Sequence, residues 1–194
     1  MINHVIPFEA KHLDIDVVKE NIKYLYEEDI KNWYLKLIDL KSIQPQFFNW
    51  IEEQFKDKIT VTRLFVTPQY MSTVIHHDQA YKWALNIPIV GCYNSYNVWY
   101  EMKENSEQSH MHKPDAIGIK YAANNGGAQS YKKKDVVKIL QKVRLDGPMI
   151  FDATTPHNVL SHNLGGEKLR IVLSVRVESG KTISFNDMKE RYNE

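Results

Sequence analysis

Three side chains from two distant segments have the types and spacing of a metal site. His76 and Asp78 lie in Ile75-His76-His77-Asp78, and His157 follows far downstream in Thr155-Pro156-His157. Side chains on a β-strand repeat every two residues, so an H-x-D places His76 and Asp78 on one face and turns His77 to the other. A histidine from a second strand completes a set of two imidazoles and one carboxylate. Such a set grips Fe(II) on one face and leaves coordination positions open. Thirteen residues beyond His157 stands Arg170, and a guanidinium can fork onto a carboxylate at a fixed distance from the metal.

Taken singly, these residues have plainer explanations. His-His-Asp also suits a polar turn after a strand, and a lone His157 between the apolar Met149-Ile150-Phe151 and Val159-Leu160 suits a core position. Arg170 shifts the balance. On a strand from Leu169 to Val177, parity puts Arg170, Val172, Ser174 and Arg176 on one face. An inward Arg is costly unless an anion meets it. That anion is a ligand carboxylate, with Ser174 able to hydrogen-bond it, or a core carboxylate such as Asp152. Arg176 competes with Arg170 for the role, but the two sit about 20 Å apart along a strand, so only one reaches a given metal-bound ligand.

The elements that must position these residues read as helices first and strands after. Ile15, Val18, Ile22 and Leu25 recur at helical spacing, as do Ile30, Trp33, Leu37 and Leu40. Phe47, Phe48, Ile51 and Phe55 follow Pro45, a residue favoured in a first helical turn. From Ile59 to Val66 the chain is β-branched and strand-like. Further strands are expected over Thr73 to Asp78, Trp83 to Val90, Asn97 to Met102, Pro148 to Asp152, His157 to Ser161 and Leu169 to Val177. A helical part over 1–58 and a β part over about 59–178 suggest one domain, a β-sandwich or barrel buttressed by helices. Lys103 to Asp115, with His110 and His112, reads as a lid or solvated loop. Asn124-Asn125-Gly126-Gly127 marks a turn, and Val136 to Leu140 reads as a short apolar excursion. Asp135 is a plausible helix cap, Cys92 a small core residue, and Ser184 to Glu194 a short exposed helix or tail.

Composition removes several classes. Lys and Arg total 25 against 24 Asp and Glu, so no net field points to nucleic acid or an anionic membrane. One cysteine excludes an internal disulfide and a Cys-rich zinc module. No P-loop and no dinucleotide fingerprint is present. The start of the chain lacks a secretory pattern, and no apolar run spans a bilayer, so a cytoplasmic location is expected.

The segments His76-x-Asp78, Leu85-Asn86-Ile87-Pro88, Pro156-His157-Asn158-Val159 and Arg170-x-x-x-Ser174 together resemble the Fe(II)/2-oxoglutarate-dependent oxygenases over roughly residues 59–178. They look most like the small aspartyl/asparaginyl or prolyl hydroxylase-like members. The resemblance implies a double-stranded β-helix (a jelly roll, cupin-like) with helices on one side. It also implies Fe(II) at His76, Asp78 and His157, and 2-oxoglutarate with its distal carboxylate on Arg170 and Ser174 beside it. The family's spacing favours Arg170 over Arg176. Asn86 has two readings of equal weight: inward toward the cosubstrate, or bonded to a backbone group. The implied activity is hydroxylation of an amino acid, peptide, protein side chain or small metabolite, with 2-oxoglutarate and O2 converted to succinate and CO2. A cupin-type metalloprotein (an isomerase, epimerase or other dioxygenase) and a non-catalytic binding protein are the alternatives.

Overall fold

The computed structural model describes residues 3–26, 28–110, 128–161 and 166–193. Among these residues, twelve strands form two antiparallel sheets of six. The first sheet contains β1 (Val5–Pro7), β10 (Met149–Asp152), β5 (Trp83–Val90), β12 (Leu169–Val177), β3 (Ile59–Pro68) and β2 (Tyr34–Leu37), in that spatial order. The second contains β7 (Gln108–His110), β8 (Ala128–Tyr131), β4 (Ile75–Asp78), β11 (His157–Ser161), β6 (Ser95–Met102) and β9 (Val136–Arg144). From β3 to β6, and again from β9 to β12, the chain passes from one sheet to the other at every step. The result is mainly β, a sandwich open at its edges rather than a closed barrel.

Two apolar layers follow from the period-2 pattern. Ile171, Leu173, Val175 and Val177 of β12, with Leu85 and Ile87 of β5 and Leu64 and Val66 of β3, face outward onto the helices. Four helices bring buried side chains to this layer: α1 (Ile15–Asn21), α2 (Leu40–Ile43), α3 (Pro45–Phe55) and α4 (Phe185–Asn193). Asp14 caps α1 by accepting the amides of Asp16 and Val17. Pro45 opens α3, and Lys56 closes it in a left-handed conformation. On the opposite face of the first sheet, Ala84, Phe151, Met149 and Val172 meet Trp99 and Leu145 from the side of the second sheet. This inner layer holds the candidate site. Among the described residues no helix is long and apolar enough to cross a membrane.

Several expectations are corrected. The helical spacing of Ile30, Trp33, Leu37 and Leu40 is misleading: Tyr34–Leu37 is a strand on the free edge of the first sheet, and only α2 (Leu40–Ile43) is helical. Val136 to Leu140 begins a nine-residue strand, hidden because an edge position leaves Val137 and Ile139 exposed among lysines. Asp135 caps no α-helix; it ends a 3-10 turn leading into β9. The C-terminal helix is not merely exposed, since Phe185 and Met188 are buried against the outer layer. Cys92 is a buried core residue as expected. The turn at Asn124 to Gly127 and His112 lie outside the described residues, as does the side chain of His110.

The turn between β5 and β6 constrains where Arg170 can sit. Gly91 has φ +61, and a Cβ there would come within 2.1 Å of the Leu169 carbonyl oxygen. A left-handed backbone and an obstructing carbonyl both demand glycine. Gly91→Ala is expected to cost at least about 2 kcal/mol in urea unfolding, from the strain of a non-glycine residue plus displacement of β12. An unchanged unfolding midpoint would contradict the close approach.

Candidate metal centre

Strand pairing brings the distant residues together. His157 opens β11 and pairs directly with His76 on β4 and with Trp99 on β6. The ligand atoms of His76, Asp78 and His157 all lie within 4.8 Å of one another. The His76 Nε2 is 4.0 Å from Asp78 Oδ1. His77 points away, its Nδ1 2.7 Å from the Tyr131 hydroxyl on the far side of the sheet.

Both imidazoles are set in one tautomer by the backbone. The Nδ1 of His76 lies 2.9 Å from the Val74 carbonyl oxygen, and that of His157 lies 2.8 Å from the Thr155 carbonyl oxygen. A carbonyl only accepts, so each Nδ1 carries the proton and each Nε2 keeps its lone pair for a metal. Burial and the neighbouring His76 push His157 down to about 4, so it is neutral at ordinary pH. Neutral imidazole is the ligating form.

Asp78 is held as an anion. Burial alone would raise its pKa, but Arg176, then His76, His157 and Arg63, bring it to about 2. Its Oδ2 accepts a 2.8 Å hydrogen bond from an Arg176 Nη, which leaves Oδ1 toward His76. Arg176 is only 1% exposed, with the rings of Tyr81 and Phe151 at 5.3 and 5.6 Å from its Cζ. Cation–π contacts of this kind offset part of the cost of burying a guanidinium.

A second layer supports His157. Asp152 ends β10 and accepts from Thr154 N at 2.9 Å, Thr154 Oγ1 at 2.7 Å and Thr155 Oγ1 at 2.5 Å. It also pairs with His4 Nδ1 at 2.9 Å, and His4 stacks on Trp99. Burial works against the Asp152 charge, yet the bonds from His4, Thr155 and Thr154 hold it well below the usual carboxylate range. Asp152 thereby shapes the turn whose Thr155 carbonyl orients His157. The Asp-x-Thr-Thr-Pro run carries that turn chemistry in the sequence, whereas nothing local announces His4.

Arg170 is 3% exposed and its Nε donates to Ser95 Oγ at 3.0 Å. Among the described residues it pairs with no carboxylate; the alternative partner Asp152 is taken by His4 and the two threonines. Burial lowers its pKa. Ser174 pairs directly with Asn86 across β12 and β5, and both face inward. The Asn86 Oδ1, Ser174 Oγ and Ser161 Oγ are buried and unpartnered in the same interior. Asn86 Oδ1 therefore satisfies no backbone group.

The pH dependence has a definite sign. The folded pKa of His157, about 4, lies below its ordinary 6.5. The unfolded chain takes up the proton first as pH falls, so this stability is whole above 6.5 and is lost as pH falls through 4. Metal-free protein should lose about 3 kcal/mol across that window, read by urea unfolding, and His157→Gln should lack this loss. A flat profile in the wild type would contradict the burial of a neutral His157. Arg176→Gln is expected to weaken divalent metal binding 10- to 100-fold, the usual effect of losing a group that orients a ligand; unchanged metal titrations would show that Asp78 needs no such support.

No family model matches the chain, and no curated protein matches it. Among solved structures, it is similar to the crystal structure of EvdO2 from Micromonospora carbonacea var. aurantiaca, over 89% of this chain and 85% of that one. The identity is 10% and the TM-score 0.48, a likeness too slight to bear on function.

Proposed function

We propose that the protein is a non-haem Fe(II)/2-oxoglutarate-dependent dioxygenase on a double-stranded β-helix. It would hydroxylate an amino acid, peptide, protein side chain or small metabolite. The step-by-step alternation of strands between sheets supports the fold. The observation that carries the function is the buried Arg170, which has no carboxylate of its own among the described residues and shares an interior with the His76, Asp78 and His157 cluster.

The donor set fits the metal. Two imidazole nitrogens and one carboxylate oxygen, with no thiolate, suit Fe(II). The spacing between Arg170 and the cluster also suits a diacid. Along β6, Ser95 beside Arg170 lies four residues from Trp99, the partner of His157. That is about 13 Å of strand. A five-carbon diacid with a contact at each end bridges such a gap better than pyruvate. When bound, Fe(II) and 2-oxoglutarate supply the O2 chemistry, in which succinate and CO2 leave and one oxygen atom reaches the substrate. The chain's residues do the rest. His76, Asp78 and His157 hold the metal, and Arg170 selects the acid by length and orients it. Ser174 and Asn86 offer buried polar atoms along its path, while Trp99, Phe151 and Val172 make the surrounding core apolar.

His76→Ala, Asp78→Ala and His157→Ala should each abolish tight Fe(II) binding in anaerobic titrations, with His77→Ala close to wild type. Iron lost with His77 but kept without His76 would overturn the ligand assignment. Arg170→Ala should raise the 2-oxoglutarate requirement by an order of magnitude or more with iron still bound, because truncating one member of a buried charge pair costs about 2–5 kcal/mol. Equal 2-oxoglutarate titrations for Arg170→Ala and wild type would remove the cosubstrate from the reading.

A further inference from the structure

Three arginines point from the first sheet into the interior. Arg170 and Arg176 lie on β12, and Arg63 lies on β3 directly opposite Ser174. Asp78 answers Arg176 at 2.8 Å. A dianionic cosubstrate would answer Arg170 and the metal. Arg63 is left over: among the described residues no carboxylate lies within ion-pair distance of it, and its buried Nε has no partner. Its Cζ sits 4.9 Å from the centre of the Phe65 ring, a contact that leaves its charge unneutralised. It is close enough to the centre for its charge to act on both Asp78 and Arg176.

Two further features distinguish Arg63 from its neighbours. Unlike Arg170 and Arg176, it is only half-buried. It also lies one strand from the sheet's free edge, opposite Leu37 of β2, which is 53% exposed. Arg63 is thus reachable from outside and close to the metal ligands at once. A guanidinium serving only the fold would be expected to carry a fixed acidic partner, as Arg144 does in Asp146. An unmatched guanidinium beside a reaction centre fits an oxyanion that arrives and departs, and its planar fork favours a carboxylate.

Resting on the oxygenase reading above, we infer that Arg63 binds a carboxylate of the prime substrate, so that the protein acts on a small carboxylic acid. The acid enters from the β2 edge, docks on Arg63, and presents a neighbouring carbon toward the open face of the metal. Arg63 is a specificity residue: it sets which molecules are held and takes no part in bond changes.

The test uses Zn(II)-loaded full-length protein saturated with 2-oxoglutarate, so that binding is read without turnover. Free L-amino acids and short linear mono- and dicarboxylic acids are titrated calorimetrically, each beside its amide. At least one acid should bind ten-fold or more tightly than its amide. Arg63→Gln should bring that acid to the level of the amide, and Arg63→Lys should recover part of the loss. Both variants should still bind Zn(II) and 2-oxoglutarate, which reports that the fold is intact. Equal binding of acid and amide, an Arg63→Gln variant that binds the acid normally, or the absence of any binding acid would each overturn the inference. Failure of the oxygenase reading shows separately, as 2-oxoglutarate binding that ignores Arg170, and acid binding by metal-free protein would then still report on Arg63 alone.

Discussion

The ion pair between Arg176 and Asp78 is the constraint around which the site is arranged. It joins β12 of the first sheet to β4 of the second, across the interior of the sandwich. Taking two charges out of water is expensive, and pairing returns the cost only with good geometry and further partners. Here those are the Trp83 carbonyl, 3.4 Å from an Arg176 Nη, and two aromatic faces. One carboxylate oxygen is spent on the pair and the other is turned toward the histidines. The fold thereby keeps a permanent negative charge where a divalent cation would need it, and a single pair both ties the sheets together and aims a ligand.

The histidines are held by a different device. Their tautomers come from backbone carbonyls two residues upstream, so the turn before each strand sets the ring orientation. For His157 that turn is itself built on Asp152, with His4 behind it. Rigid placement of this kind lets a metal site exclude alternative geometries without extra ligands. Around it the interior is unevenly satisfied. The oxygens of Asn86, Ser174 and Ser161 are buried without a partner, an arrangement costly for a permanently closed core.

What could be read from the sequence follows how local each signal was. Alternation along Leu169 to Val177 placed Arg170, Ser174 and Arg176 together, because parity depends only on a residue's own strand. The H-x-D separated His76 from His77 for the same reason. The role of Arg176 was not legible, since its partner lies 98 positions away and parity says nothing about what stands opposite. Arg63 was invisible as a site residue: one Arg in a β-branched run looks like an edge charge until the neighbouring strand is known. Tyr34 to Leu37 misled because apolar residues at 30, 33, 37 and 40 mimic a helix, while a four-residue edge strand has too few alternations to compete. Lysines masked β9 in the same way.

The strand order has a consequence for how the centre comes into being. β11 lies between β4 and β6, and β12 lies between β5 and β3, so the middle of each sheet is filled by the end of the chain. The earliest strand, β1, pairs with β10, and Val5 meets Phe151. A ribosome therefore releases most of the chain before either sheet can close, and closure must draw together segments far apart in sequence, a topology that folds slowly. No nascent fragment lacking β11 contains the complete ligand set. Capture of a metal by His76, Asp78 and His157 would thus be a late checkpoint, open only to a chain whose central strands are already threaded into place.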